Sequence, residues 1–302
     1  MTTALQTPTQ PFHSQAKPAD AGWLERHSGL LLHEAAFLGY LTLSAIRLAF
    51  AGPDALSSVL FHAGLVLGGL GLVWWTRQKP TALRWRLRLA YYPVIMNAVF
   101  VQMKTAIPLM HPEKVDAVLA HWDAALFGQT PALWLSGIAT PWLTELLSLC
   151  YVLFFPYLVL SVIRYLRAPL PVAKRFFAGL FLIYGIGFLG YSVMPALGPY
   201  LAMSNQFAAP LQGYWITWLN QTLYPHGTNY SDVFPSLHLA VSAYLLCFDR
   251  THVRWRFWLW LPVCIGLWLS TVYLRFHYGV DLLVGAAVTA LAFALLRADH
   301  AR

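Results

Sequence analysis

Charge is scarce in this sequence. Lys, Arg, Asp and Glu make up 11% of the 302 residues, hydrophobic residues make up 58%, and the mean hydropathy is +0.55. That balance excludes a water-soluble core and indicates a polytopic membrane protein of all-α class. The length holds about eight spans of about 20 residues each and leaves little room for a separate soluble domain. Cysteine is equally sparse. Cys150, Cys247 and Cys264 lie inside apolar runs without pairing or ligand-like spacing, so neither a disulfide scaffold nor a zinc site is expected, and they read as packing residues. The start of the chain lacks a basic region followed by an apolar core. Residues 1–22 are rich in Thr, Gln, Pro and Ala instead, and read as a disordered tail rather than a cleaved signal peptide. No internal repeat relates the two halves, which weakens an inverted-repeat transporter reading.

What is present is a series of apolar runs, near residues 30–50, 55–75, 89–110, 142–163, 176–194, 233–248, 257–276 and 279–296. They predict eight membrane helices, with a cytoplasmic tail over 1–27, a membrane domain over 28–297 and a second short tail over 298–302. An even number of spans puts both termini on one side. Arg77, Lys79, Arg84, Arg86 and Arg88 fall in the second connection, Arg164, Arg167, Lys174 and Arg175 in the fourth, and Arg250, Arg254 and Arg256 in the sixth. With Lys17, Arg26, Arg297 and Arg302, sixteen of the 20 cations lie on one face, which the positive-inside rule makes cytoplasmic. The net charge of +8 is therefore an expression of topology, and no soluble basic surface remains to bind nucleic acid. Residues 111–141 carry Trp122, Phe127 and Trp134 with Asp116 and Asp123, and predict a helix lying at the outer interface. Residues 195–232 form a long, nearly uncharged connection of the kind that covers functional sites, with a short helix expected over Tyr214–Leu223.

Two short motifs stand out against this apolar background. Pro235-Ser236-Leu237-His238 and His277-Tyr278-Gly279-Val280-Asp281 each open an apolar run on the non-cytoplasmic side. Ionisable groups at membrane depth are costly and usually functional. Ser231 or Asp232 can cap the sixth span, with Pro235 in its first turn and the helix starting near Phe234, so that free N–H groups and the Ser236 hydroxyl face an incoming phosphate. His277 and Asp281 are four residues apart and share one helical face, where the carboxylate can hold one imidazole nitrogen protonated and leave the other as a nucleophile. Of the four cations on the outer side, Arg275 and Lys104 are the candidate phosphate ligands, and Arg47 and Lys114 read as interface anchors. Glu145 is a candidate headgroup or proton-relay residue, with a structural hydrogen bond as the alternative. Glu34, His33, His62 and Asn97 read as bundle contacts.

These motifs resemble the type 2 phosphatidic acid phosphatase superfamily, whose usual patterns are K-x6-R-P, P-S-G-H and S-R-x5-H-x3-D. Pro235, Ser236 and His238 match the second pattern with Leu237 in place of Gly, and Ser270, His277 and Asp281 match the third with Thr271 in place of Arg. The first pattern is not recognisable. Tyr273–Tyr278, Met194–Pro199 and Asp123–Gly128 look similar to the divergent branch containing inositol phosphorylceramide synthases and sphingomyelin synthases. The resemblance implies a bundle built on a six-helix phosphatase-like core, with His277 attacking phosphorus, Asp281 supporting it and His238 protonating the leaving alcohol. It also implies a phospholipid or sphingolipid substrate, no cofactor and no metal. With another alcohol as acceptor the reaction is headgroup transfer; with water it is hydrolysis of a lipid such as phosphatidate or prenyl diphosphate. A proton-coupled transporter with a His–Asp relay is the alternative of another class.

Overall fold

The architecture is described from a computed structural model covering residues 21–301. Among the described residues the chain is helical, without strands. The helices are α1 (Trp23–Ser28), α2 (Leu32–Ala49), α3 (Leu56–Gln78), α4 (Ala82–Met110), α5 (Asp116–Phe127), α6 (Pro131–Leu135), α7 (Pro141–Val152), α8 (Phe154–Leu166), α9 (Leu170–Val193), α10 (Pro199–Ala202), α11 (Trp215–Gly227), α12 (Leu237–His252), α13 (Arg254–Tyr273) and α14 (Gly279–Ala301).

Six of these segments are long and apolar enough to cross a membrane: α3 with its preceding turn, α4, α7 with α8, α9, α13 and α14. The other two expected spans do form helices, but they are shorter and more polar. α2 has 18 residues and carries His33, Glu34 and Arg47, whereas α12 has 16 and carries His238, Asp249 and Arg250. Both are accommodated because His33, Glu34 and Asp249 are buried in the bundle, whereas Arg250 near the end of α12 stays exposed. α2 packs on α3 and α9, and α12 packs on α9, α13 and α14. At the centre lies α9, whose most apolar window is 78% buried within the protein against 22% for α3, so α3 presents its Leu60, Leu67 and Trp74 to lipid while α9 does not. Gly187 of α9 gives α12 its close approach, since a Cβ there would meet Leu237 at 2.4 Å.

One end of the bundle is tied together by its basic residues. Arg86 donates to the carbonyls of Leu166 and Ala168, Arg77 to Ser28, and Lys174 pairs with Glu25 at 2.6 Å. The second and fourth connections therefore meet at the same end as α1. The expected tail boundaries shift here. α1 occupies part of the stretch expected to be a disordered tail, because Leu24 N–H donates to Asp299 at 2.9 Å and anchors it on α14, which itself continues to Ala301 through the second expected tail. The rest of the N-terminal tail lies outside the described residues. Arg88 is also not a connection residue: α4 begins seven residues earlier than its apolar run, and Arg88 is buried inside the bundle, paired with Glu34. In the same way Arg256 reaches Asp249 at 3.2 Å, where Tyr157 and Tyr165 also donate. Buried charges persist where they are paired and hydrogen-bonded.

The opposite end is built from the long connections. α5 and α6 occupy 111–141, and α10, a short 3-10 turn and α11 occupy 195–232, with α11 close to its expected position. α7 and α8 are interrupted at Leu153, three residues before Pro156, which supplies no N–H and whose ring crowds the carbonyl one turn back. That break brings Tyr151 and Phe154 against the start of α12.

Candidate functional site

The two motifs converge because α12 and α14 start side by side. Ser236 is the N-cap of α12, its hydroxyl accepting from Leu239 N–H at 3.4 Å, so the helix begins at Leu237 rather than near Phe234, and Pro235 precedes the cap instead of occupying the first turn. The Ser236 N–H donates to the Asp281 carbonyl at 3.1 Å, joining the first residues of one motif to the last of the other. His277 lies in the bend between α13 and α14, just ahead of the helix it was expected to open, with its N–H donated to Thr271 O at 2.9 Å.

In this arrangement His277 Nδ1 is 3.3 Å from Asp281 Oδ2, and His277 Nε2 is 3.3 Å from His238 Nδ1. Asp281 Oδ2 also accepts the Tyr278 N–H at 2.8 Å, which holds the carboxylate against the imidazole. The result is a line of carboxylate, imidazole and imidazole, with His277 and Asp281 buried. A carboxylate on one ring nitrogen fixes the proton there and leaves the other nitrogen's lone pair facing His238. Chemically the line can support nucleophilic attack by one imidazole and proton transfer by the other.

Aromatic rings enclose the pair. Tyr151 and Phe154 lie 4.8 and 5.0 Å from the His238 ring, and Phe276 is stacked on Tyr224 at 4.4 Å with Tyr200 at its edge. His238 and Asp232 are surrounded by protein yet keep some accessible surface, as side chains lining an internal cleft do. Asp232 does not cap α12. It accepts from Thr228 Oγ1 at 2.6 Å, lies within electrostatic reach of His277, and has its carboxyl pushed up by burial.

The remaining expected ligands are held elsewhere. The hydroxyl of Ser236 is buried and accepts from its own helix, which leaves its O–H as a donor. Glu145 makes the structural contacts expected as its alternative role. Its carboxylate accepts the N–H groups of Tyr214, Ile216 and Thr217 at 2.8, 2.6 and 2.9 Å and the Thr217 hydroxyl at 2.7 Å, capping α11, because a helix start without its own side-chain cap needs an outside acceptor. Arg275 adopts a left-handed backbone (φ 69°) at the end of α13, where glycine is the usual residue. Its guanidinium donates to Ala209 O at 3.1 Å and Ser136 Oγ at 3.4 Å and stacks on Phe207 at 3.9 Å. It is buried, its Nε has no partner, and among the described residues no carboxylate pairs with it. Lys104 is exposed and lies 4.8 Å from the Tyr230 ring centroid. Among the described residues no hydrogen bond joins Arg275 or Lys104 to either imidazole. Thr271, in the position of the resembled pattern's Arg, donates its hydroxyl to Trp268 O at 2.8 Å and brings no charge.

Three supporting residues were not legible as such in the sequence. Lys114, expected as an interface anchor, donates to Tyr230 O and Ser231 Oγ at 2.7 Å and steadies the segment leading into α12. Asp116 accepts from the Tyr278 hydroxyl at 3.0 Å and from Leu197 and Gly198 N–H, and Asp123 accepts from Gly279 and Val280 N–H at 3.0 and 2.8 Å. Their seven-residue spacing on α5 was the available signal, since it places both carboxylates on one helical face.

Comparison with known proteins adds one match. No curated protein and no solved structure matches the chain. The family model described as the PAP2 superfamily matches residues 117–295, a stretch that contains both histidine motifs and most of the helices around them, and the chain belongs to that superfamily.

Proposed function

We propose that this protein is a lipid phosphotransferase in which His277 is the nucleophile, Asp281 its orienting carboxylate and His238 the general acid and base. Membership of the superfamily supports lipid phosphatase or phosphotransferase activity in a membrane enzyme and weighs against the transporter reading. The observation that carries the finer reading is the aligned contact of Asp281, His277 and His238 at 3.3 Å each. Nε2 of His277 attacks phosphorus while the bond from phosphorus to the leaving alkoxide breaks, and His238 protonates that oxygen. The acceptor hydroxyl then attacks the phosphohistidine as His238 takes its proton, regenerating both imidazoles. Arg275, and to a lesser degree Lys104, balance phosphoryl charge as the donor enters.

Transfer of a phospho-headgroup, as in inositol phosphorylceramide synthase-like enzymes, is favoured over hydrolysis of a phosphomonoester by the charge inventory. Thr271 brings no cation and Asp232 adds an acidic group near His277. A phosphodiester, carrying a single negative charge, suits such a site better than a doubly charged monoester. By the positive-inside rule the site faces the periplasm or lumen, at the end away from the basic connections.

The test is turnover of purified protein on phosphatidate, phosphatidylglycerol, phosphatidylethanolamine and phosphatidylinositol in mixed micelles, with and without added alcohol acceptors. Alcohol-dependent release of diacylglycerol from a phosphodiester is expected, together with its loss in His277→Ala. Release of inorganic phosphate from phosphatidate alone would replace transfer with hydrolysis, and full activity of His277→Ala would end the phosphohistidine reading.

A further inference from the structure

The loop that carries His277 is held from within and from outside. The N–H groups of Leu274 to His277 bond back to α13 and that of Tyr278 to Asp281, whereas other elements hold the Arg275 carbonyl, the Tyr278 hydroxyl and the first two N–H groups of α14. Tyr200 N–H donates to Arg275 O at 2.6 Å. Gly198, at φ 82°, fits against Phe276 O where a Cβ would come within 2.4 Å. The Tyr278 hydroxyl is held by Asp116, and Gly279 and Val280 N–H by Asp123. Asp123 is fully buried, and among the described residues its hydrogen-bond partners are those two N–H groups. A charged carboxylate kept out of water with no cation is a costly arrangement unless strong donors meet it. The first N–H groups of a long helix are such donors, adding the positive end of the helix dipole.

We propose that Asp123 is the positioning residue of the site: by capping α14 from α5 it sets the register of the 277–281 turn, and with it the contact between Asp281 and His277. The inference rests on the reading of His277 as nucleophile and adds a residue that touches no reacting atom. Asp281 is the third residue of α14, so releasing the first two N–H groups lets that turn unwind and withdraws Oδ2 from both Tyr278 N–H and His277 Nδ1. Asp116, two turns earlier on α5, holds Tyr278 and the 197–198 turn, so α5 acts as one brace with two points of attachment.

The test follows release of p-nitrophenol from the phosphodiester bis(p-nitrophenyl) phosphate by the full-length protein in detergent, for wild type, Asp123→Asn, Asp123→Ala and His277→Ala. Asn preserves size but accepts only one of the two N–H bonds well and without charge. Asp123→Asn is expected to lower kcat by about threefold to tenfold and Asp123→Ala by about ten- to a hundredfold, the scale of a group that orients catalytic atoms, with KM little changed. The pH profile separates positioning from stability. His277 is faced by Asp281 from α14, His238 from α12, Asp232 from the segment before it, and Tyr278 with Asp116 and Asp123 at the α5 contact. A carboxylate beside an imidazole favours its protonated form. Withdrawing Asp281 therefore moves the acid limb of kcat to lower pH, whereas a smaller folded fraction lowers the plateau and leaves the limb in place. Wild-type kcat and an unmoved limb in Asp123→Asn would overturn the proposal, even if Asp123→Ala failed to fold. A plateau that falls only with the folded fraction would also overturn it. Activity in His277→Ala would instead remove the nucleophile reading on which the proposal stands.

Discussion

At the scale of single residues, what matters is which polar groups are free to act. Glu145 is polar, yet its carboxylate is taken up in capping α11, and Ser236 accepts from its own helix. Arg275 is different, because a buried guanidinium with no carboxylate partner retains most of its charge for a ligand. Burial pushes its pKa down, but a guanidinium stays charged in proteins. Arg275→Ala is expected to lower turnover on the native lipid by roughly 10²-fold, comparable to the loss of one transition-state donor. Arg275→Lys should restore only part of this, since a point charge cannot replace a planar fork. Steady-state kinetics of the two variants decides it. Equal activity of wild type and Arg275→Ala would move the phosphate-binding role to other groups, Lys104 first among them.

At the scale of elements, short connecting helices are held by side chains of the long ones. α11 is the clearest case, since it has no cap of its own and relies on Glu145 of α7. Tyr224 near its end stacks on Phe276, next to His277, so the order of α11 reaches the site. Glu145→Ala is expected to destabilise α11 by about 1–2 kcal/mol, the cost of a lost N-cap. Amide exchange within Trp215–Gly227 should rise accordingly while exchange in α9 stays slow. Unchanged protection of α11 would show that the cap contributes nothing in the membrane.

At the scale of the whole molecule, the two ends are chemically distinct. One gathers α1, the end of α14 and cationic connections whose side chains bind helix carbonyls, and the other gathers α5, α11 and the starts of α12 and α14. The proposed orientation, with the basic end cytoplasmic by the positive-inside rule, predicts that Lys79→Cys in the second connection reacts with impermeant thiol reagents from the cytoplasmic face and Gln206→Cys in the fifth from the opposite face. Labelling in sealed vesicles, in a background lacking Cys150, Cys247 and Cys264, measures this. Reaction of both positions from the same side would overturn the assigned orientation.

Hydrophobic runs and cation placement determined, from the sequence alone, that the chain is an all-α membrane bundle and where most of its helices lie. These properties depend on local composition and length, which a single strand of text carries completely. The spacing of His277 and Asp281 likewise made their pairing legible, because four residues on one turn leave little conformational choice. The tertiary structure alone decided which helices α2 and α12 pack against and that Arg88 lies inside the bundle. It also decided that Glu145 caps α11 and that Asp116 and Asp123 brace the His277 loop. Each of these joins residues tens of positions or more apart, such as Arg88 with Glu34 and Asp123 with Val280. The pairing of a buried polar group depends on which helix is brought beside it, and that is settled by packing rather than by neighbours along the chain.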